Sequence, residues 1–372
     1  MKLRNRSYLL FCYAILTMAL LSLTACIEDD DDEEEENTSP LTVKEQVDST
    51  ADLSVVVLGS GGPIATSAGR ASAGYLILVE GKPRILMDLG GGTFQRLAET
   101  EYNLKELDII LLSHLHIDHT SDLSAAIKTI YFHNLQAINA ANAAGTTAPD
   151  LRTAPIRIFG PDSDVGAFPT TEEYVDGLYS ANGIERYIRG FPGLIEAGTF
   201  AYEATSVNSD EDPTTATATE LLSETDATSG KVLKVSAIGV NHGPVPALAF
   251  KIEYDTDHIV VYTGDTSSNG TGTTDAPATS NLETFAAGAD LLIYDTAVMD
   301  AAIPPQAIFK TLHTTPTRMG QVASAANVSK LILSHITPAT EPRIAEVKTL
   351  VTDAGYTGIV EAADDLSVYN IK

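Results

Sequence analysis

Ser113-His114-Leu115-His116-Ile117-Asp118-His119 follows directly on the apolar run Asp108-Ile109-Ile110-Leu111-Leu112. Four potential metal ligands fall within six residues, where a buried strand should end and a loop begin. The chain has eight histidines, and three are here. Imidazole and carboxylate are the ligands that suit zinc and similar first-row metals. His-x-His puts two rings on one side of an extended segment. Asp118-His119, as the chain curls into a helix, can point at a second metal. A polar loop with chance histidines is the plain alternative, and further ligand types downstream argue against it.

Those further groups also follow apolar runs. Val235–Val240 ends in Asn241-His242-Gly243-Pro244. Ile259–Thr263 ends in Gly264-Asp265-Thr266, a corner where a carboxylate could bridge two metals. Leu331–Ser334 ends in His335-Ile336-Thr337-Pro338. One His or Asp after a strand is usually structural. The same order repeated four times predicts side chains that converge at one edge.

Strand-like runs with turn signals between them supply the positioning elements. They are Leu53–Gly59, Gly74–Glu80, Arg84–Leu89, Asp108–Ser113 and Ile156–Gly160, then Lys231–Val240, Ala247–Tyr254, His258–Thr263, Asp290–Asp295, Lys330–Ser334 and Leu366–Ile371. Helices are expected over Thr93–Glu101, Asp122–Ile130, Thr315–Ala326 and Glu341–Ala354. The pattern predicts one α/β domain in two halves, two sheets sandwiched by helices. Asn139–Pro155 and Asn208–Gly230 read as irregular, as surface insertions rather than a lid or dimer arm.

These motifs resemble the metallo-β-lactamase superfamily and, within it, the tRNase Z-like branch. Residues 113–119 match its His-x-His-x-Asp-His signature, and His242, Asp265 and His335 match its later single-ligand motifs in order. Leu58–Pro63 and Met87–Thr93 look like the branch's glycine motifs, and Ala362–Asp365 like its closing strand motif. The resemblance spans roughly residues 53–371. It implies an αββα sandwich of two mixed sheets. It implies one metal held by His114, His116 and His242, and a second held by Asp118, His119 and His335, with Asp265 bridging. Two divalent ions, zinc by default, are expected; iron or manganese also suit the ligands.

Lys310-Thr-Leu-His313-Thr-Thr-Pro316 resembles the branch's His-x-Thr motif, with Thr315 as a helix N-cap. The resemblance makes His313 a general acid or charge stabiliser near the leaving group; a capping histidine is the bland alternative. Asp118 and His313 are thus the expected catalytic groups. Asp88 is a candidate outer partner for a ligand histidine. His133 and His258 have no motif around them.

A metal pair lowers the pKa of a bridging water, so attack by hydroxide on a phosphorus, sulfur or carbonyl centre is expected. Charge narrows the substrate. Residues 37–372 carry 41 Asp and Glu against 20 Lys and Arg, a net of −21, and Trp is absent. Such a surface repels phosphate backbones and lacks stacking platforms, so long nucleic acids are poor partners. Small anionic phosphodiesters or sulfate esters fit better, as for exported arylsulfatase- and phosphodiesterase-type relatives. Lactone, thioester or β-lactam hydrolysis is the rival reading. A tRNA-processing nuclease and a non-catalytic binding protein stand behind it.

The amino terminus reads as an export signal. Lys2, Arg4 and Arg6 precede an apolar run, Tyr8–Leu21, and Leu23-Thr-Ala-Cys26 resembles a lipobox. Residues 1–25 are then a signal peptide. Residues 26–50 are a lipidated Cys26 with an acidic tether, Glu28–Glu36, and 51–372 are the hydrolase domain. The expected site of action is the bacterial cell envelope, at the membrane through lipid on Cys26. Cys12 leaves with the signal, so no disulfide or thiolate ligand is expected. Relatives of this kind are often dimers, which makes a homodimer an expectation by analogy.

Overall fold

In a computed structural model, residues 41–163, 166–212, 215–226, 229–255, 257–269, 280–301 and 306–372 are described. The stretch read as a signal peptide with a lipobox, and the acidic run, lie outside these residues. The folded unit begins at Leu41, ahead of the expected start at residue 51. A capping box between Thr42 and Glu45 starts the turn Val43–Gln46, which buries Val43. Asn370 Oδ1 accepts from Asp48 N at 3.1 Å, and Asn370 Nδ2 donates to Gln46 O, so this segment is tied to the last strand.

Among the described residues, fourteen strands make two seven-stranded sheets. In chain order they are β1 Leu53–Gly59, β2 Gly74–Val79, β3 Lys82–Leu89, β4 Ile109–Leu111, β5 Ile156–Pro161, β6 Tyr202–Val207, β7 Thr219–Thr225, β8 Val232–Val240, β9 Ala247–Tyr254, β10 His258–Tyr262, β11 Leu291–Asp295, β12 Lys330–Ser334, β13 Ile359–Ala362 and β14 Val368–Ile371. The first sheet runs β14-β1-β2-β3-β4-β5-β6 and the second β13-β12-β11-β10-β9-β8-β7. In each, three antiparallel pairings give way to three parallel ones. Each half of the chain lends its last strand to the other half's sheet: β7 borders β8, and β14 borders β1. The expected αββα sandwich of mixed sheets is the observed fold.

Period-two alternation sorts the strand side chains. Leu53, Val55 and Val57 face the core between the sheets, with Leu248, Phe250 and Ile252 opposite. Val56 and Leu58 face outward under the helix Leu123–Ala144. Ala247 and Ala249 face outward under the helices Pro316–Ala325 and Ile344–Asp353. Strands buried on both faces read as unbroken apolar runs, which is why these strands were visible in the sequence.

Several segments differ from expectation, among them the strand Ile359–Ala362 and the helix Asn281–Phe285. The helix from Leu123 continues to Ala144, through the start of the stretch read as irregular. Ala, Asn and Gln there contain no breaker before Gly145, which ends it at φ +65°. Thr219–Thr225 is a strand inside the polar stretch 208–230: it pairs antiparallel with β8, buries Leu222, and Glu224 bonds Arg84 and Arg157 of the first sheet across the sandwich. Tyr202–Val207 and Thr171–Tyr179 were also missed: neither carries a long apolar run.

Candidate metal centre

Strands β3 and β4 are parallel, and so are β10, β11 and β12; β8 runs with β10 because both oppose β9. Their carboxyl ends therefore share one edge of the sandwich. Asp88 lies at the end of β3 and His114 just past β4. His242, Asp265, Asp295 and His335 end or follow β8, β10, β11 and β12. His116 is still extended, and a single helical turn, Ile117–Thr120, begins after it. The turn swings Asp118 and His119 back toward His114, as the change from loop to helix predicts.

All seven expected ligands come together. Nε2 of His114 lies 2.9 Å from Nδ1 of His116. Asp265 is central: its Oδ2 is 3.9 Å from His114 Nε2, 3.8 Å from His242 Nε2 and 3.2 Å from His335 Nε2, and its Oδ1 is 3.5 Å from His119 Nε2. Asp118 Oδ2 lies 3.3 Å from His335 Nε2 and 3.4 Å from His119 Nε2. Two of the ligand groups are His114–His116–His242 and Asp118–His119–His335, the two sets expected. All are buried except the half-buried His116.

The donor set fits divalent cations. Among the described residues, His119 Nε2, His242 Nε2 and Asp265 Oδ1 are buried without a hydrogen-bond partner, and all three face the same space. Leaving such groups unpaired costs about 1–3 kcal/mol each, which a bound cation would remove. The opposite ring nitrogens are already used. His119 Nδ1 donates to Asp88 Oδ2 at 2.7 Å, and His242 Nδ1 donates to the Leu312 carbonyl at 2.7 Å. Each bond fixes the tautomer that leaves Nε2 bare for a metal. Asp88 is thus the outer partner that sequence reading proposed; it also accepts from Ser113 N, Ser113 Oγ and Tyr262 Oη.

Burial holds the protons off part of the site. It drives His114 well below its ordinary pKa and His242 down to about 4. Burial also opposes charge on Asp118 and Asp265, but facing histidines outweigh it and keep both carboxyls low. Neutral imidazoles at His114 and His242 beside ionised carboxylates suit cation binding. At His119, burial is outweighed by the charges of Asp265 and Asp88, which raise its pKa well above the ordinary value, so a bound cation would have to displace that proton.

Two glycines set the geometry. A Cβ on Gly264 (φ +59°) would sit 2.7 Å from Ser113 Cβ, so only glycine lets the Asp265 corner close on the histidine loop. A Cβ on Gly62 would sit 2.7 Å from His335 Cε1. The Ala362–Asp365 motif acts on this turn and not on the ligands. Asp365 accepts from Ser60 N, Ser60 Oγ, Ala71 N and Arg96 Nε, pinning the loop that covers His335.

A sequence model described as the metallo-beta-lactamase superfamily matches residues 69–335, well over half of the chain. The chain belongs to the metallo-β-lactamase superfamily. Within it, the chain is 28% identical over 324 residues to Ribonuclease Z of Mycolicibacterium gilvum, covering 84% of this chain and 94% of that one. Among solved structures it is similar to human tRNase Z, short form (TM-score 0.54, 18% identity, 86% and 99% covered). It is also similar to the metallo-beta-lactamase fold protein YhfI of Bacillus subtilis (TM-score 0.53, 19% identity, 85% and 98% covered).

This superfamily member carries one acid that the sequence reading placed in a strand without a role. Asp295 ends β11, and its Oδ2 accepts from His313 Nδ1 at 2.7 Å. Its signal was the same as for the ligands, an apolar run ending in an acid. His313 stands at the edge of the centre, its ring 5.3 Å from His242 and 5.6 Å from His335. Thr315 occupies the expected N-cap position, but its hydroxyl donates to Asn269 Oδ1 instead of capping the helix. His133 accepts from Leu104 N, and His258 pairs with Asp52 at 3.1 Å, both away from the site.

Proposed function

We propose that this metal-dependent hydrolase cleaves phosphodiesters, with small diesters as its substrates. The His313–Asp295 pair carries the reading, since an imidazole held by a buried acid beside the ligand cluster is a proton source for a departing oxygen. Bound divalent cations would supply an ionised water and Lewis acidity at the phosphoryl oxygens. The protein's own part is to orient and to protonate. Asp88 and the Leu312 carbonyl hold the ligand rings, and His313 gives its Nε2 proton to the leaving group while Asp295 stabilises the cation. Asp118 and Asp265 remain ionised to keep the ligand field anionic.

Two observations favour small substrates. The chain is strongly acidic, and two apolar side chains stand beside His116: the Phe168 ring lies 6.4 Å from the His116 ring, and Ile117 is exposed. The names of the relatives favour a second reading, a nuclease acting on RNA. Sulfate esters and carbonyl substrates stand behind both. Export through residues 1–25, a lipid on Cys26, a cell-envelope location and a homodimer remain proposals resting on the sequence. Mass spectrometry of the amino-terminal peptide tests the lipid.

The test is a substrate panel on zinc-loaded protein: bis(4-nitrophenyl) phosphate, cyclic nucleotides, a tRNA precursor, 4-nitrophenyl sulfate and a lactone. Turnover of the small diesters with little RNA cleavage is expected. RNA cleavage alone would replace the small-substrate reading, and lactone cleavage alone would overturn the phosphodiester one.

A further inference from the structure

Tyr75 and Tyr262 lie fully buried between the sheets, ring centroids 4.9 Å apart, and each crosses from its own sheet to the other. Tyr262 ends β10 in the second sheet and donates to Asp88 Oδ2 in the first at 2.7 Å. Tyr75, on β2 of the first sheet, shares a 2.6 Å hydrogen bond with Ser334 Oγ, which ends β12 in the second.

Both targets lie at kinked strand ends. Asp88 has φ +50° and is the extra residue of a bulge: Met87 pairs with Tyr75 and Leu89 with Gly74, leaving Asp88 between them. His335, directly after Ser334, has φ +53°. A non-glycine residue in this region is strained and persists only where its surroundings hold it. The kinks aim two ligands. Asp88 grips His119 Nδ1, and the turn after Ser334 presents His335. His119 and His335 belong to the same ligand group, with Asp118. His242, in the other group, is held by the Leu312 carbonyl instead, and His114 is reached only through Ser113.

We propose that Tyr75 and Tyr262 are positioning residues for one metal of the pair, the one held by Asp118, His119 and His335. The proposal rests on the two-metal reading. Neither hydroxyl meets substrate; each fixes a strand end so that a ligand nitrogen points at the ion.

A third tyrosine supplies the control. Tyr254 is also buried between the sheets and also reaches across, to Glu80 Oε1 at 2.9 Å. It sits at the other end of β9 from Ala247, away from the centre. Zinc affinity is measured on purified Tyr75→Phe, Tyr262→Phe, Tyr254→Phe and Ser334→Ala proteins by titration against a chromophoric chelator. Wild type should bind two ions. Tyr75→Phe, Tyr262→Phe and Ser334→Ala should each weaken one of the two steps about tenfold or more, the size typical of lost outer-shell support. Tyr254→Phe should leave both steps unchanged. Unchanged or tighter binding in Tyr75→Phe and Tyr262→Phe, or an equal effect in all four variants, would overturn the proposal. A wild type that binds no zinc would instead remove the metal reading beneath it.

Discussion

His313 Nδ1 lies 2.7 Å from Asp295 Oδ2, and His313 also lies 3.9 Å from Asp265 Oδ2, the carboxylate oxygen at the middle of the ligand cluster. One imidazole thus connects a ligand-free acid to the metal centre. If it delivers a proton to the leaving oxygen, His313→Ala should lower kcat on an aryl phosphodiester by about 10²–10⁴-fold, the usual worth of a general acid. Zinc content should not change. A loss of metal in that variant would reassign His313 as a ligand.

The same pair fixes a pH response. Burial alone would weaken proton binding by His313, but the hydrogen bond it donates to Asp295 and the charge of Asp265 outweigh it and raise its pKa. The active donor is the protonated ring, so activity falls as pH rises through that pKa. Asp295→Asn removes the anion, lowers the pKa and should move the basic limb of the kcat profile to lower pH. Folding follows the same sign. A raised histidine pKa stabilises the fold fully below its unfolded value of about 6.5, and the gain is lost as pH rises through the folded value. A basic limb that stays in place would show that another group controls it.

Gly62 packs against His335 and donates its N–H to the Ile336 carbonyl at 3.3 Å. Gly62→Ala would put a methyl group 2.7 Å from His335 Cε1, so the ring must move. Zinc binding at the Asp118–His119–His335 group should weaken, with the other step preserved, and the melting temperature of the zinc-free protein should change little. Isothermal titration resolves the two steps. Equal binding to wild type would mean the turn yields and His335 does not.

Legibility in the sequence followed physical signal. The strands that carry ligands are buried on both faces, so their apolar runs and the polar residue ending each were plain in β4, β8, β10 and β12. Asp295 had the same signal in β11 but no motif beyond it, so its role waited for the distance to His313. β7 was hidden because Leu222 is its one buried side chain: the ladder to β8 and the bonds of Glu224 to Arg84 and Arg157 hold it without hydrophobic periodicity. Thr219–Thr225 therefore resembled the loop around it. The crossing of Tyr75 and Tyr262 is a tertiary fact, since nothing in either strand says which sheet the hydroxyl will reach.

Removal and return of metal should move stability and activity together. A strong chelator should abolish turnover, and zinc at about a hundred times its Kd should restore it with about 2.7 kcal/mol of added stability per site. Thermal unfolding with and without zinc checks the second part.

The proposed reaction requires His114, His116, Asp118, His119, His242, Asp265 and His335 to bind two cations. Anomalous diffraction at the zinc edge from crystals of the zinc-loaded protein tests this directly. Two peaks, one among His114, His116 and His242 and one among Asp118, His119 and His335, both beside Asp265, are predicted. A well-ordered crystal with no peak at this edge of the sandwich would contradict it.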